Sequence, residues 1–270
     1  MNEPKVLVCS PVSEQHKFAT ERFLERIENL SYQNYDLLII DNSKTEDHYK
    51  SMKVKKAKLV RDFYEFKKVR EKLVACRNYM RKTFLENNYE YMICVDQDVI
   101  PPKNLIEKLT ATQKDIVTGI YYNYFEKTDG SFMKLPVIWG FFDENDIKLA
   151  RKNIEKIKEI NKEMYELIKN NNDSYLIEFL RKPISFEQAN SGKLIEIKIC
   201  GTGCILISRK VLQEIEFRYD NNTDAFDDTF FCEDARKKGC KIYADTTVQC
   251  EHLIRERPWK WQDFKDKGEM

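Results

Sequence analysis

Short apolar runs alternate with segments of helical periodicity along the first 122 residues of the chain. The apolar runs predict strands at residues 5–10, 35–40, 56–60, 91–95 and 115–122. Between them, apolar residues recur at helical spacing over residues 14–30, 68–87 and 103–112. A strand, a helix and a further strand of the same sheet form a parallel, right-handed unit. The pattern therefore predicts an α/β fold with a mostly parallel sheet flanked by helices.

The apolar run at 91–95 ends abruptly in Asp96, Gln97 and Asp98, and a proline pair at 101–102 prevents the strand from continuing. Two carboxylates at the end of a buried strand are costly to desolvate unless a cation accompanies them. Mn²⁺ and Mg²⁺ take carboxylate oxygens and leave coordination positions open for phosphate oxygens. This D-Q-D stretch therefore predicts a metal site that faces a diphosphate.

Two earlier strands are also predicted to end at this edge, the first at Pro11 and the second at Asp41. Ligands of open α/β sheets bind beyond the carboxyl ends of the strands, so both residues are candidates for a binding site. Asp41 is explained at least as well by a turn that caps the following helix.

The helix predicted at 68–87 carries several cations on the face expected to be exposed. Such a charge run is usually a solvated surface, but this one directly precedes the D-Q-D strand, so at least one cation could reach a diphosphate. The four residues are Arg70, Lys72, Arg77 and Arg81.

The alternation breaks at residue 143, where apolar residues recur at helical spacing among lysines and glutamates. The spacing predicts one long amphipathic helix followed by a second helix at 174–181, together an inserted arm at about 143–190. Packing on its own domain is the favoured role for its apolar face. An acceptor groove, a second subunit and a membrane surface stay open as alternatives.

After the arm, the sheet is predicted to resume at 194–207 and to end with strands at 241–245 and 247–252. The strand 135–142 precedes the arm. Gly201 and Gly203 indicate a close approach of the backbone. Asp227 and Asp228 precede a helix predicted at 229–238, and a polar tail, residues 255–270, carries Trp259 and Trp261.

Composition narrows the class of protein. The 270 residues are 42% hydrophobic, and 46 basic against 45 acidic residues leave a net charge of +1, which disfavours nucleic acid as a partner. No apolar run is long enough to span a bilayer, and the N-terminus leads directly into a strand, so we expect a cytoplasmic protein. Eight cysteines without a C-x-x-C pair indicate buried thiols, with zinc binding a poorer alternative.

An ordered set of motifs resembles GT-A-fold glycosyltransferases of the family 2 type, in particular compact archaeal, bacterial and phage members. These motifs are VLVCSPV at 6–12, IIDNS at 39–43, CRN at 76–78, CVDQDVIPP at 94–102, GTGCILISRKV at 201–211, DDTFFCEDARKKGCKIY at 227–243 and CEHL at 250–253. The resemblance covers residues 5 to about 254 apart from the arm. It implies a Rossmann-like, mixed and mostly parallel sheet in one domain over residues 1–254.

The resemblance also implies roles for individual residues. Asp98 and His252, with Asp96, would hold Mn²⁺ or Mg²⁺, and Asp228 would be the catalytic base of an inverting transfer. Asp227 stands where the family usually has glutamate. Donor-binding positions would be Pro11, Val12, Asp41, Lys72, Arg77, Asn78, Asp96 and Gln97, and the acceptor or sugar side would include Gly201, Gly203, Asp227 and Trp139.

The donor would be a nucleotide-diphosphate sugar, of the UDP or the GDP type with UDP preferred. The acceptor would be a glycan, a lipid-linked sugar or a protein, and contact with a membrane surface stays open, as does the oligomeric state. The alternatives are a nucleotidyltransferase, disfavoured because the loop after the first strand has no glycine, and an inactive glycan-binding module.

Residues in the predicted site also have structural explanations. Asp228 is explained equally well as the N-cap of the helix that follows, and His252, taken alone, as a structural histidine. His16 and His48 are expected to lie in polar loops without a role.

Overall fold

The computed structural model of the protein describes residues 3–126, 130–160, 162–170, 181–223, 225–258 and 266–267. Its strands are β1 (Val6–Val12), β2 (Tyr35–Asp41), β3 (Lys58–Arg61), β4 (Tyr91–Val95), β5 (Val99–Ile100), β6 (Ile116–Ile120), β7 (Tyr122–Glu126), β8 (Phe132–Pro136), β9 (Ile138–Phe141), β10 (Arg181–Pro183), β11 (Leu194–Ile197), β12 (Ile199–Cys200), β13 (Cys204–Ser208), β14 (Ile242–Gln249) and β15 (Glu251–His252). Its helices are α1 (Thr20–Ile27), α2 (Asp47–Ser51), α3 (Val69–Leu85), α4 (Leu105–Ala111), α5 (Glu144–Lys152), α6 (Ile154–Ile160), α7 (Lys162–Lys169), α8 (Phe186–Ala189), α9 (Arg209–Glu214) and α10 (Asp227–Lys237), with 3₁₀ turns at Glu14–Ala19 and Leu253–Glu256.

Within the described residues, eight strands form the central sheet in the order β11, β14, β6, β13, β4, β1, β2, β3. β4, β1, β2 and β3 are parallel, and β14 is parallel to β6. β13 runs antiparallel between β4 and β6, and β11 is antiparallel to β14. The predicted α/β fold is confirmed, and the mixed sheet resembles that of GT-A glycosyltransferases.

Alternate residues of the central strands contribute to two apolar layers, one on each face of the sheet. Leu7 and Cys94 point to the layer that α3, α9 and α10 cover, whereas Val8 and Ile93 point to the layer that α1 and α4 cover. Because successive side chains of a strand point to opposite faces, a strand covered on both sides is apolar at nearly every position. This explains the unbroken apolar runs in the sequence.

The strand register brings the polar strand ends to one edge. Val12 lies opposite Asp41, and the backbone nitrogen of Asp96 donates to the carbonyl of Gly203 at 3.0 Å. β1 does not end at Pro11 as predicted but continues to Val12. The proline breaks no ladder hydrogen bond there, because the pairing of β1 with β4 has already ended at Cys9.

The arm differs from the single long helix predicted from residue 143. Three short helices, α5, α6 and α7, replace it, and Asn153 separates the first two. The Asn153 side-chain amide donates to the carbonyl of Leu149 at 2.9 Å, a local bond that competes with helix continuation. Ile147, Ala150 and Ile168 form a small core of the arm. The second helix predicted at 174–181 lies outside the described residues except for Arg181, which begins β10.

Other boundaries also differ from the predictions. The helix predicted at 14–30 consists of the 3₁₀ segment Glu14–Ala19, which contains a non-helical His16, and α1, which ends at Ile27. The strand predicted at 135–142 is divided into β8 and β9, and the two strands predicted at 241–252 include one long strand, β14. Each difference falls at a turn, where apolar periodicity carries little information.

All eight cysteines are free thiols, and all but the half-buried Cys240 are buried, as expected. Among the described residues, the helices are too short or too polar to cross a membrane.

Candidate active site

A cleft of about 1220 Å³ lies at the edge where β1, β2 and β4 end. Residues from the loops after these strands line it together with the first turns of α3 and α10, the β7 and β8 hairpin and the segment around His252. The sequence-predicted residues that it brings together are Pro11, Val12, Lys72, Arg77, Asp96, Gln97, Asp98, Trp139, Asp227, Asp228 and His252.

Asp98 is buried in this cleft and faces three cationic or imidazole groups. Its Oδ2 lies 2.6 Å from Nη2 of Arg257, 3.3 Å from Nε2 of His252 and 3.6 Å from Nε2 of His16. Burial by itself raises the pKa of Asp98, but the hydrogen bond from His252 and the charges of His16, His252 and Arg257 outweigh it. The pKa of Asp98 is therefore held well below its usual range, and the carboxylate is ionised.

The orientation of His252 makes it a candidate metal ligand. Its Nδ1 lies 2.7 Å from the carbonyl oxygen of Tyr122, which can only accept, so Nδ1 carries the proton. In the neutral ring, Nε2 is then an acceptor that faces the Asp98 carboxylate, and two facing acceptors need a proton or a metal ion between them. Among the described residues, no group of three or more His, Cys, Asp or Glu side chains is arranged to hold a metal ion. A metal here would have Asp98 and His252 as its protein ligands.

Arg77 is the buried cation of the site. Its Nη2 donates to Oδ1 of Asp96 and its Nε to Oδ2 of Asp227, both at 2.9 Å, while only 2% of its side chain is exposed. Asp96 follows β4 and Asp227 begins α10, so one guanidinium joins two elements that are 131 positions apart in sequence (227 minus 96). The planar fork of arginine suits two carboxylates at once, which lysine does not.

Asp228 lies beside this ion-pair group in the first turn of α10. Burial and the neighbouring charge of Asp227 raise its pKa to about 7. Arg77 pairs with Asp227, and no ion pair in the described part of the chain involves Asp228. The N-cap of α10 is Phe226, so the interpretation of Asp228 as the N-cap is wrong. A carboxyl group with a pKa near neutrality suits general-base chemistry.

Gly201 and Gly203 do not line the cleft but make room for a residue that does. A Cβ at Gly201 would lie 2.1 Å from the hydroxyl oxygen of Tyr121, and one at Gly203 would lie 2.9 Å from the Tyr121 ring and 3.1 Å from Oδ2 of Asp96. Tyr121 accepts from the Gly203 nitrogen at 3.1 Å and meets the His252 ring edge-on. The glycines therefore allow Tyr121 and Asp96 to reach their places.

The chain matches a known protein family over most of its length. The family model described as Anp1, a GT-A-like glycosyltransferase family, matches residues 46–214, more than half of the chain. The chain belongs to the Anp1 family. It is therefore a glycosyltransferase, as the motif pattern predicted, and the nucleotidyltransferase alternative is set aside.

The fold is shared with GalNAc-T7, and A197 from STIV is a further similar solved structure. GalNAc-T7, solved with UDP, GalNAc and Mn²⁺, is 10% identical with a TM-score of 0.55, over 93% of this chain and 44% of that chain. A197 from STIV is 16% identical with a TM-score of 0.45, over 93% of this chain and 86% of that chain. This Anp1-family enzyme thus spans less than half the length of the GalNAc-T7 chain. No curated protein sequence matches it.

Two predicted donor-binding residues lie away from the cleft of the Anp1-family enzyme. Asp41 is fully buried against Ser43 and His48, with contacts of 2.6 and 3.0 Å to its Oδ1. The Asn78 amide bonds to both backbone groups of Phe217, at 3.0 and 2.8 Å, and so ties α3 to the segment after α9. Their side chains serve the fold around the site.

The expected exposure of the cations on α3 is also wrong. Arg70, Lys72 and Arg77 are buried, because α3 turns this face towards α10 and the cleft. Arg81 bonds to the carbonyl of Leu212 and to the exposed Glu216. Helical periodicity locates the cations on the helix but does not reveal what packs against them.

Several cleft residues were not predicted. His16 and His48 were expected in polar loops, yet His16 reaches Asp98 and His48 is buried beneath the cleft. Tyr121 and Arg257 also line the cleft without having been singled out. His16 lies only five positions beyond Pro11, and that proximity to a predicted strand end is the one signal that pointed to it.

We expect Arg77→Met to lower the free energy of unfolding by about 3–5 kcal/mol, because it leaves two carboxylates without their buried cation. Urea unfolding followed by circular dichroism measures the change. Lys82→Met on the exposed side of the same helix is the matched control and should stay within about 0.5 kcal/mol of the native protein. Equal small effects of both substitutions would contradict the proposed importance of the Arg77 ion pairs.

Proposed function

We propose that this glycosyltransferase transfers a sugar from a nucleotide-diphosphate sugar to an acceptor hydroxyl, with Mn²⁺ or Mg²⁺ held by Asp98 and His252 and with Asp228 as the base. The observation that carries the proposal is the opposition of Nε2 of His252 and Oδ2 of Asp98 at 3.3 Å, in a cleft that Asp228 also lines. Asp96 was predicted to be a further metal ligand. Its ion pair with Arg77 instead favours a structural role next to the metal site.

The donor set fits a divalent cation. One carboxylate and one imidazole are common ligands of Mn²⁺, and Mg²⁺ is usually held by one or two protein groups together with substrate phosphates. Such an ion, when bound, supplies Lewis-acid stabilisation of the charge that builds on the leaving diphosphate. The GalNAc-T7 structure, which has the same fold, contains Mn²⁺ together with UDP.

The charge of the cleft supports a diphosphate ligand. Cationic side chains from four parts of the chain line it, which offsets the carboxylates and attracts an anion. They are Lys44, Lys67, Lys72, Arg77, Arg255 and Arg257. We propose a UDP-sugar as the donor. A GDP-sugar is the alternative donor. Pro11, Val12 and Gln97 line the part of the cleft formed by the loops after β1 and β4, and we propose that the nucleotide lies there.

Asp228 would accept the proton of the attacking hydroxyl. Burial and the charge of Asp227 raise the pKa of Asp228 to about 7, so that Asp228 changes its protonation state near neutral pH, whereas Asp227 is paired with Arg77. Inversion at the anomeric carbon stays a prediction, and the anomeric configuration of the product, determined by NMR, tests it. Trp139 and Phe226 line the cleft together with Asp228, and we propose that the acceptor binds between them.

The remaining assignments are proposals of the same kind. They are a glycosyltransferase domain over residues 1–254, an arm at about 143–190, a polar tail over residues 255–270, and a cytoplasmic location with possible contact to a membrane surface. A glycan, a lipid-linked sugar or a protein side chain would be the acceptor.

We expect UDP or GDP to bind only with Mn²⁺ present, and Asp98→Asn to weaken this binding at least 10-fold, because it removes the charged metal ligand. Isothermal titration calorimetry with each nucleotide, with and without Mn²⁺, measures it. Glu187→Gln, a neutralisation at an exposed helix start, is the control and should bind as the native protein does. Equally tight binding without Mn²⁺ would contradict metal dependence.

We expect the rate of sugar release from the donor to rise with pH through about 7, because only the carboxylate form of Asp228 accepts a proton. Asp228→Asn should lower the rate at least 100-fold and remove this pH dependence. The measurement is nucleotide release from a panel of UDP- and GDP-sugars between pH 5 and 9, values chosen to bracket about 7.

The stability of the Asp228→Asn variant is the control that separates a loss of the base from a loss of folding. Since folding raises the pKa of Asp228, its protonated form stabilises the protein below the ordinary aspartate pKa, and this contribution is lost as pH rises through about 7. The variant should therefore be at least as stable as the native protein at pH 8. A pH profile that persists in a folded Asp228→Asn protein would assign the base to another residue.

The guanidinium of Arg257 lies 2.6 Å from the Asp98 carboxylate, so a metal ion must compete with Arg257 for that carboxylate. We expect Arg257→Gln to tighten Mn²⁺ binding to the nucleotide-free protein about fivefold, the effect of removing an ion pair of about 1 kcal/mol. Electron paramagnetic resonance of free Mn²⁺ measures the affinity. Arg255→Gln, also at the cleft but over the Tyr124 ring, is the control. Unchanged affinity in Arg257→Gln would exclude competition.

A further inference from the structure

We propose that His48 and Thr20 are positioning residues, which orient the D-Q-D turn from beneath the cleft through the side chain of Gln97. The inference rests on the proposed function, because its consequence is the placement of Asp98 for metal and diphosphate binding. None of the sequence motifs that resemble GT-A glycosyltransferases includes His48 or Thr20.

The connection runs through buried hydrogen bonds. Nε2 of Gln97 donates to Oγ1 of Thr20 at 2.7 Å, and Oγ1 of Thr20 lies 3.0 Å from Nε2 of His48. Nδ1 of His48 lies 3.0 Å from Oδ1 of Asp41. His48 and Gln97 are each only 2% exposed, and Asp41 is fully buried. The chain of contacts therefore joins the ends of β2 and β4 to the start of α1.

The directions of these hydrogen bonds are mutually consistent. The Asp41 carboxylate also accepts from the Ser43 hydroxyl, and that hydroxyl accepts from the Glu14 nitrogen. Facing a carboxylate, Nδ1 of His48 donates, so Nε2 of the neutral ring accepts from the Thr20 hydroxyl. The Thr20 oxygen is then left to accept from the Gln97 amide. One assignment of hydrogens is consistent with all of these contacts, while Oδ2 of Asp41 has no hydrogen-bond partner among the described residues.

The other end of the Gln97 amide is held as well. Its Oε1 accepts from the backbone nitrogen of Ser13 at 2.8 Å, directly after β1. Donor and acceptor of this amide are thus both engaged, which fixes its rotation. Because Asp96 and Asp98 flank Gln97, anchoring its side chain at both ends also restrains the backbone that carries the two carboxylates.

Each residue of the turn is therefore held from a different side. Asp96 is held by Arg77 and by its backbone bond to Gly203, whereas Gln97 is held from below by Thr20 and Ser13. Outer contacts that orient a metal ligand commonly change metal affinity 10- to 100-fold, a range quoted for metalloenzymes. The Thr20 hydroxyl acts one step further out, through Gln97, because its hydrogen bonds go to Gln97 and His48.

The test compares Thr20→Val, which keeps the shape but removes the hydroxyl, with Thr20→Ser, which keeps the hydroxyl. We expect Thr20→Val to weaken Mn²⁺-dependent UDP or GDP binding about 10-fold and Thr20→Ser to retain it. Calorimetry measures nucleotide binding, paramagnetic resonance measures Mn²⁺ binding, and urea unfolding confirms that both variants fold. Thr20→Ala serves as a second hydroxyl-free variant if Thr20→Val does not fold.

A double-variant cycle shows whether Thr20 acts through Gln97. Gln97→Met removes the amide, and we expect Thr20→Val to cause no further loss of binding in that background. Additive losses would overturn the proposed connection, as would native-like binding by Thr20→Val. Absence of metal-dependent nucleotide binding in the native protein would overturn the proposed function and this inference with it, so the two failures are distinguishable.

Discussion

The buried guanidinium of Arg77 is the interaction on which the site depends. It lies between Asp96 at the end of β4 and Asp227 at the start of α10, and both ion pairs are 2.9 Å long. Two carboxylates would repel each other at this depth, so the cation is what allows β4 and α10 to meet. The same arrangement commits Asp227 to a structural charge pair and leaves Asp228, with its raised pKa, as the carboxyl group suited to proton transfer.

The D-Q-D turn divides its three side chains among three tasks. Asp96 binds Arg77, Gln97 binds Thr20 and Ser13, and Asp98 faces His252, His16 and Arg257. Successive residues after a strand point in different directions, which is why one short stretch can serve the fold and the cleft together. Of the three residues, Asp98 is the one whose buried carboxylate has a lowered pKa and faces a histidine nitrogen, the combination that suits a hard cation.

Space is as strict a requirement as charge at this edge of the sheet. Tyr121 occupies the volume that a Cβ at Gly201 or Gly203 would fill, and its ring lies edge-on to His252. The glycines predicted to approach a sugar thus approach a protein side chain that itself lines the cleft. The close approach was predicted correctly, whereas the identity of the approaching group was not, because a glycine signals an unfilled volume and not its occupant.

The sequence by itself determined the α/β class, the strands that end at Asp41 and Asp96, and the motifs of a GT-A glycosyltransferase. These depend on local periodicity and on residue types at strand ends, which the chain carries in consecutive order. It did not determine that Arg77 is buried, that His16 and His48 belong to the site, or that Arg257 reaches Asp98. Those contacts join residues up to 159 positions apart (257 minus 98). Only the packing of α3, α10 and the segment after β15 against one sheet edge brings such residues together, and no local pattern records which charges meet there.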